Sequence, residues 1–128
     1  MLLLQVAQRA ADLDRAAEFY TELLGTPPAA RFDPPGLLFF LLDGTRLLLD
    51  RNAPSSLVYL RVADLAGTVE RLRGAGVRIE SEPHRIFTHV DDFLGSAGHH
   101  EWHAFIRDSE DNLVGLVELV PAAQADND

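Results

Sequence analysis

One eight-residue segment occurs twice in this chain. Val6-Ala-Gln-Arg-Ala-Ala-Asp-Leu13 returns as Val58-Tyr-Leu-Arg-Val-Ala-Asp-Leu65, identical at five of eight positions and 52 residues further on. A repeat at this spacing signals a duplicated structural unit, because one supersecondary unit is about that long. Chance likeness between two strand-to-helix junctions is the alternative that the sequence alone leaves open.

Each copy follows the same plan. Leu2 to Ala10 reads as a strand, and Asp12 suits a helix N-cap, its carboxylate accepting an otherwise orphaned backbone N–H. Leu13, Ala16, Ala17, Tyr20, Leu23 and Leu24 recur at helical spacing and form one apolar face, with Tyr20 in the core. Gly25 stands where a left-handed C-cap belongs, and Pro27-Pro28 forbid continuation. A weaker strand at Ala29 to Phe32 precedes Pro34-Pro35. Leu37 to Leu42 and Arg46 to Asp50 then form a hairpin about Asp43-Gly44. Asn52 to Ser56 links the copies. The second copy opens with strand Leu57 to Val62 and N-cap Asp64. Its helix carries Leu65, Val69 and Leu72 and stops at Gly74 or Gly76. Strand Val77 to Ser81 follows, ended by Pro83. The tail, 122–128, is small and polar and is expected to fray.

The bulk numbers narrow the function classes. A chain of 128 residues makes one ordinary domain. Twenty acidic against 11 basic residues leave a net charge of −9, which opposes nucleic-acid backbones and anionic membranes. The absence of cysteine removes disulfides, thiol nucleophiles and thiolate metal sites. No stretch approaches the roughly 20 apolar residues of a membrane helix. The expectation is a cytoplasmic protein with neither a nucleic-acid nor a membrane partner.

Glu101 to Leu119 closes the chain as a second hairpin, with Asp108-Ser109-Glu110-Asp111-Asn112 as its polar turn. This hairpin resembles that of the vicinal-oxygen-chelate superfamily, which includes glyoxalases, bleomycin-resistance proteins and extradiol dioxygenases. Members often carry Asp-Pro-Asp-Gly-Asn, two residues, then Glu-Leu. Here the frame reads Asp108 to Asn112, Leu113-Val114, then Gly115-Leu116, so Gly115 replaces the metal-binding Glu. Pro83-His84 and Trp102-His-Ala-Phe-Ile-Arg-Asp108 also resemble a glyoxalase-like bacterial group. The resemblance implies an α+β fold: two βαβββ modules in tandem (1–51 and 56–121, one domain over 1–121) whose curled mixed sheet forms a central cleft. It also implies a homodimer. The family's metal positions map to Gln5, Leu48, Leu57 and Gly115. Only Gln5 offers an oxygen, whereas such ions need three or more N or O donors. No metal and no cofactor are expected.

The remaining candidates surround that cleft. A four-residue turn at 108–111 sets Arg107 opposite Asn112 and puts Trp102, Ala104 and Ile106 on the cleft face with Gly115, turning Phe105 and Val114 to the helices. The opening strands contribute Gln5, Ala7 and Arg9, and Leu57, Tyr59 and Arg61. Trp102 and Tyr59 would stack a planar ligand, and Gly115 would let a bulky group approach the backbone. Arg9, Arg46 or Arg61 would hold a carboxylate or phosphate; solvation or a surface ion pair is the plainer reading of each. All five histidines lie between His84 and His103. His99 and His100 read as solvated loop residues. His84 and His89 are either partly exposed or form a rim over the cleft. The resulting expectation is a protein that binds an apolar or aromatic small molecule without metal. The alternative is a metal-dependent or histidine-based lyase, isomerase or dioxygenase.

Overall fold

The computed structural model describes residues 3–123, so that 124–128 of the tail expected to fray lie outside them; the described residues form two compact units, 3–58 with 108–112 and 59–107 with 113–123. Each unit carries one helix and one four-stranded sheet, so the fold is the tandem α+β arrangement expected from the repeat. No helix among the described residues is long and apolar enough to cross a membrane.

In the first unit β1 (Gln5–Arg9) leads to α1 (Leu13–Leu24), then β2 (Ala30–Phe32), β3 (Leu37–Leu42) and β4 (Thr45–Asp50), in sheet order β1-β4-β3-β2. Asp12 caps α1 by accepting the Arg15 N–H at 3.0 Å, and Gly25 ends it at φ 72°. Asp43 and Gly44 are both at positive φ, as a tight hairpin turn requires. Alternation along the strands sends Leu38, Phe40, Leu47 and Leu49 towards α1, where they bury with Leu13, Ala16 and Tyr20. Gln5, Ala7, Phe39, Leu41, Arg46 and Leu48 occupy the opposite face.

Gln8 breaks that pattern. It is 0% exposed, and neither side-chain amide atom has a hydrogen-bond partner. Its counterpart in the repeat is Leu60. A buried amide without partners costs more than the hydrocarbon it displaces. Gln8→Leu is therefore expected to stabilise the protein by about 1–2 kcal/mol, read as a higher urea midpoint at unchanged slope.

The second unit contains most of β5 (Val58–Arg61), with α2 (Leu65–Gly74), β6 (Ile79–Thr88), β7 (His99–Arg107) and β8 (Leu113–Pro121), in sheet order β5-β8-β7-β6. Asp64 caps α2 through the Gly67 N–H, and Glu118 accepts the Leu65 N–H at 2.6 Å. Leu65, Val69 and Leu72 bury on α2, which packs on β6, β7 and β8.

Three expectations fail here. Pro83 does not end a strand; β6 runs through it, with pairing shifts between Ser81 and His84. An edge strand with a bulge tolerates a missing N–H, and β6 is the edge. His99 and His100 are not solvated loop residues. They open β7, and His100 is buried, its Nδ1 2.5 Å from Thr88 Oγ1 and its Nε2 3.1 Å from Arg85 Nη1.

The third failure is the register of the closing hairpin. Arg107 pairs with Leu113 and Phe105 with Gly115, so five residues separate the paired positions instead of four. One residue of slip exchanges the faces. Ala104, Ile106, Val114 and Leu116 are fully buried, on the face that carries Glu118 to the start of α2. Trp102 shares that face. Glu101, His103, Phe105 and Gly115 take the other.

Candidate functional site

The face of the second sheet turned away from α2 gathers most of its chemistry. Tyr59 on β5 lies across Gly115 on β8, with its ring centre 5.9 Å from Phe105 at 74° and 5.5 Å from His103. A Cβ built on Gly115 would stand 2.6 Å from Tyr59 Cδ1 and 3.2 Å from Phe105 Cε1. Gly115 is not at positive φ, so glycine serves here for space and not for backbone conformation. What approaches its bare backbone is the chain's own Tyr59, which is 51% exposed.

Beside this aromatic group two imidazoles converge on one carboxylate. His103 Nε2 is 2.6 Å from Glu101 Oε2, and His89 Nε2 is 2.8 Å from Glu101 Oε1. A carboxylate only accepts, so each Nε2 carries the proton and donates. His89 is buried, against the expectation of partial exposure, with Phe87 4.4 Å away centre to centre and Gly95 close against its ring. A cavity of about 290 Å³ opens next to it, lined by Phe87, Thr88, His89, Val90, Asp91, Phe93 and Leu94.

Burial pushes the Glu101 carboxyl up, yet the hydrogen bonds from His103 and His89 outweigh it and hold Glu101 below the usual glutamate range. A depressed folded value favours the native state above the unfolded value, about pH 4.3, and the benefit disappears as pH falls through the folded one. Stability is therefore expected to fall on acidification below about pH 4.5, less steeply in Glu101→Gln, with urea midpoints across that range as the readout.

The first sheet presents a different group. Gln5 Oε1 accepts a hydrogen bond from Arg46 Nε at 2.9 Å, and the Arg46 guanidinium sits 5.7 Å from the centre of the Phe39 ring. Leu48 is buried on the same face, while Leu57 is exposed. The four positions to which the resemblance maps the family's metal ligands thus hold an amide engaged by an arginine, two leucines and a glycine. These residues do not fit a divalent ion. Among the described residues no group of three or more His, Asp or Glu side chains is arranged to hold one.

The expected site residues accordingly separate. Tyr59 and Gly115 meet; His89 joins Glu101 and His103; Gln5 meets Arg46. Trp102 lies on the opposite face, its Nε1 buried without a partner. Arg61 is exposed, and so is His84, whose Nδ1 is 2.9 Å from the Glu82 carbonyl. Glu101, His103 and Phe105 were missed. Their signal was present as polar-aromatic alternation along one strand, but the wrong register turned it towards the helix.

Residues 2–116 match the family model of the Glyoxalase/Bleomycin resistance protein/Dioxygenase superfamily. Among curated proteins, no sequence matches the chain. Three solved structures show the likeness in fold. A lactoylglutathione lyase from Agrobacterium tumefaciens is 21% identical, covering 91% of this chain and 92% of its own, with a TM-score of 0.67. A superfamily member from Sphaerobacter thermophilus is 19% identical, covering 92% and 97%, with a TM-score of 0.69. A glyoxalase/bleomycin resistance protein/dioxygenase from Alicyclobacillus acidocaldarius is 19% identical, covering 92% and 91%, with a TM-score of 0.64.

Proposed function

The chain belongs to the Glyoxalase/Bleomycin resistance protein/Dioxygenase superfamily, and on that premise we propose that it binds an apolar or aromatic small molecule on the second sheet, without metal. The half-exposed ring of Tyr59, laid over Gly115 and edge-on to Phe105, carries this reading. A rigid aromatic surface gains affinity from stacking at little entropic cost. The cavity beside His89, in which Phe87, Val90, Phe93 and Leu94 stand with Thr88 and Asp91, supplies further surface of the mixed kind small-molecule sites use. The donor set at the family's metal positions supports the metal-free part of the reading.

The test uses the neutral fluorescent probe N-phenylnaphthylamine on the full chain. Saturable enhancement is expected, weakened about tenfold in Tyr59→Ala, equivalent to the roughly 1.4 kcal/mol of one good aromatic contact. Absence of saturable binding, or stoichiometric metal in the purified protein with a melting temperature that climbs with added Zn²⁺, would overturn the proposal.

The Glu101 cluster favours a second reading, a histidine-based isomerase or lyase. Glu101 fixes the proton of His103 on Nε2 and leaves Nδ1 as the candidate base beside Tyr59. An activity abolished in His103→Gln while probe affinity persists would select it.

A further inference from the structure

We infer that Arg46, on the face of the first sheet opposite α1, is the seat for the carboxylate of a small ligand with an apolar body. Arg46 would serve in this way whether or not the Tyr59 surface binds anything.

The starting point is charge. The chain has 20 acidic residues for 11 basic ones, so an arginine has carboxylates in excess to pair with. Most do pair: Arg15 with Glu110, Arg31 with Asp14, Arg51 with Asp33, Arg73 with Glu82, and both Arg78 and Arg107 with Glu80. Arg46 is half-buried, and among the described residues no carboxylate lies within ion-pair distance of it. Arg9 and Arg61 are exposed, where water solvates a guanidinium at no cost. Partial burial leaves Arg46 less of that solvation, so an anion gains more there than at the exposed arginines.

Its neighbours orient the charge without cancelling it. Gln5 and Arg46 are partners in the parallel β1–β4 ladder, and the Gln5 amide oxygen takes the Nε–H. Phe39 holds the guanidinium near its ring. The N–H groups on Nη1 and Nη2 remain, in the planar fork that donates to two carboxylate oxygens at once. Leu41 pairs with Arg46 across β3–β4, and Phe39 with Leu48, so hydrocarbon flanks the fork. Arg9 and Asp50 are ladder partners further along the same face; Arg46, flanked by Phe39, Leu41 and Leu48, is the cation set among apolar side chains, and on a chain of net charge −9 it matches a monoanion with an apolar body.

Naphthoate and its neutral isostere naphthamide test this by NMR titration of isotope-labelled full-length protein. The Arg46 Nε–H and Gln5 side-chain amide signals are expected to shift saturably with naphthoate, and about tenfold more weakly with naphthamide. Arg46→Gln should abolish the shifts. Arg46→Lys keeps the charge but loses the fork, and should weaken binding. Should Arg46→Gln fail to fold, the comparison of acid with amide, together with Arg46→Lys, decides the matter. Equal shifts with acid and amide, naphthoate binding that survives Arg46→Gln or Arg46→Lys undiminished, or no saturable response at Arg46 would each overturn the inference.

Discussion

Asp108→Ala is expected to destabilise the protein by about 3–5 kcal/mol, the largest single-residue effect foreseen here. The Asp108 side chain is buried and accepts four hydrogen bonds. The Glu110 N–H comes at 2.8 Å, the Asn112 N–H at 2.7 Å, the Asn112 Nδ2 at 2.9 Å and the Tyr20 hydroxyl at 2.7 Å. Truncation to alanine strands the buried Tyr20 hydroxyl, at about 1–3 kcal/mol, and takes the shared acceptor from the half-buried Glu110 and Asn112 N–H groups, while Asn112 Nδ2 keeps its bond to the Arg9 carbonyl. Tyr20 cannot adjust by ionising, since its burial, which persists once Asp108 is gone, by itself pushes the phenol above its usual value. Tyr20→Phe removes one donor cleanly and should cost about 1–2 kcal/mol. In a double-mutant cycle the two changes should be strongly non-additive, because Tyr20→Phe spends part of the loss that Asp108→Ala produces. Urea unfolding of the four proteins measures this. A cost for Asp108→Ala below about 1 kcal/mol would show that the acceptor is dispensable.

Gly115→Ala should separate binding from stability. The added methyl would fall 2.6 Å from Tyr59 Cδ1, closer than any real contact, so the ring must leave. Tyr59 is half-exposed and can swing into solvent, which limits the stability cost to about 1 kcal/mol. Affinity for N-phenylnaphthylamine should nevertheless drop about tenfold, as in Tyr59→Ala, because both changes remove the same stacking surface. Gly115→Ala combined with Tyr59→Ala should then bind no worse than either alone. Undiminished binding in Gly115→Ala would place the probe elsewhere.

Both predictions turn on the five residues Asp108 to Asn112, and these also explain why the sequence misled about the site. A polar run between apolar runs plainly announces a turn. Its length does not follow from residue types. Asp108 takes the backbone N–H groups of Glu110 and Asn112 while Asp111 adopts φ 65°, and that bonding pattern makes room for one residue more than a four-residue turn. The extra residue moved Phe105 and His103 to the Tyr59 face and Trp102 off it. His89 was a candidate from the sequence, but its burial was not legible there, since it comes from Phe87 and Gly95 around it and from a carboxylate twelve residues away.

Whatever acts within one turn of helix or across one tight hairpin was settled by local chemistry: the caps Asp12 and Asp64, the apolar stripe of α1, the Asp43-Gly44 turn and the duplicated plan itself. The chemistry at Gln5, Leu48, Leu57 and Gly115 was also readable, because a hydrocarbon or a missing side chain is no ligand in any conformation. The tolerance of Pro83 required knowing that β6 is an edge. Likewise, the pairing of Gln5 with Arg46 and the convergence of His89 and His103 on Glu101 depended on which strands became neighbours. Strand neighbours and register are set by burial summed over the whole fold, and a one-residue slip that local residue types barely distinguish reverses which side chains face outward.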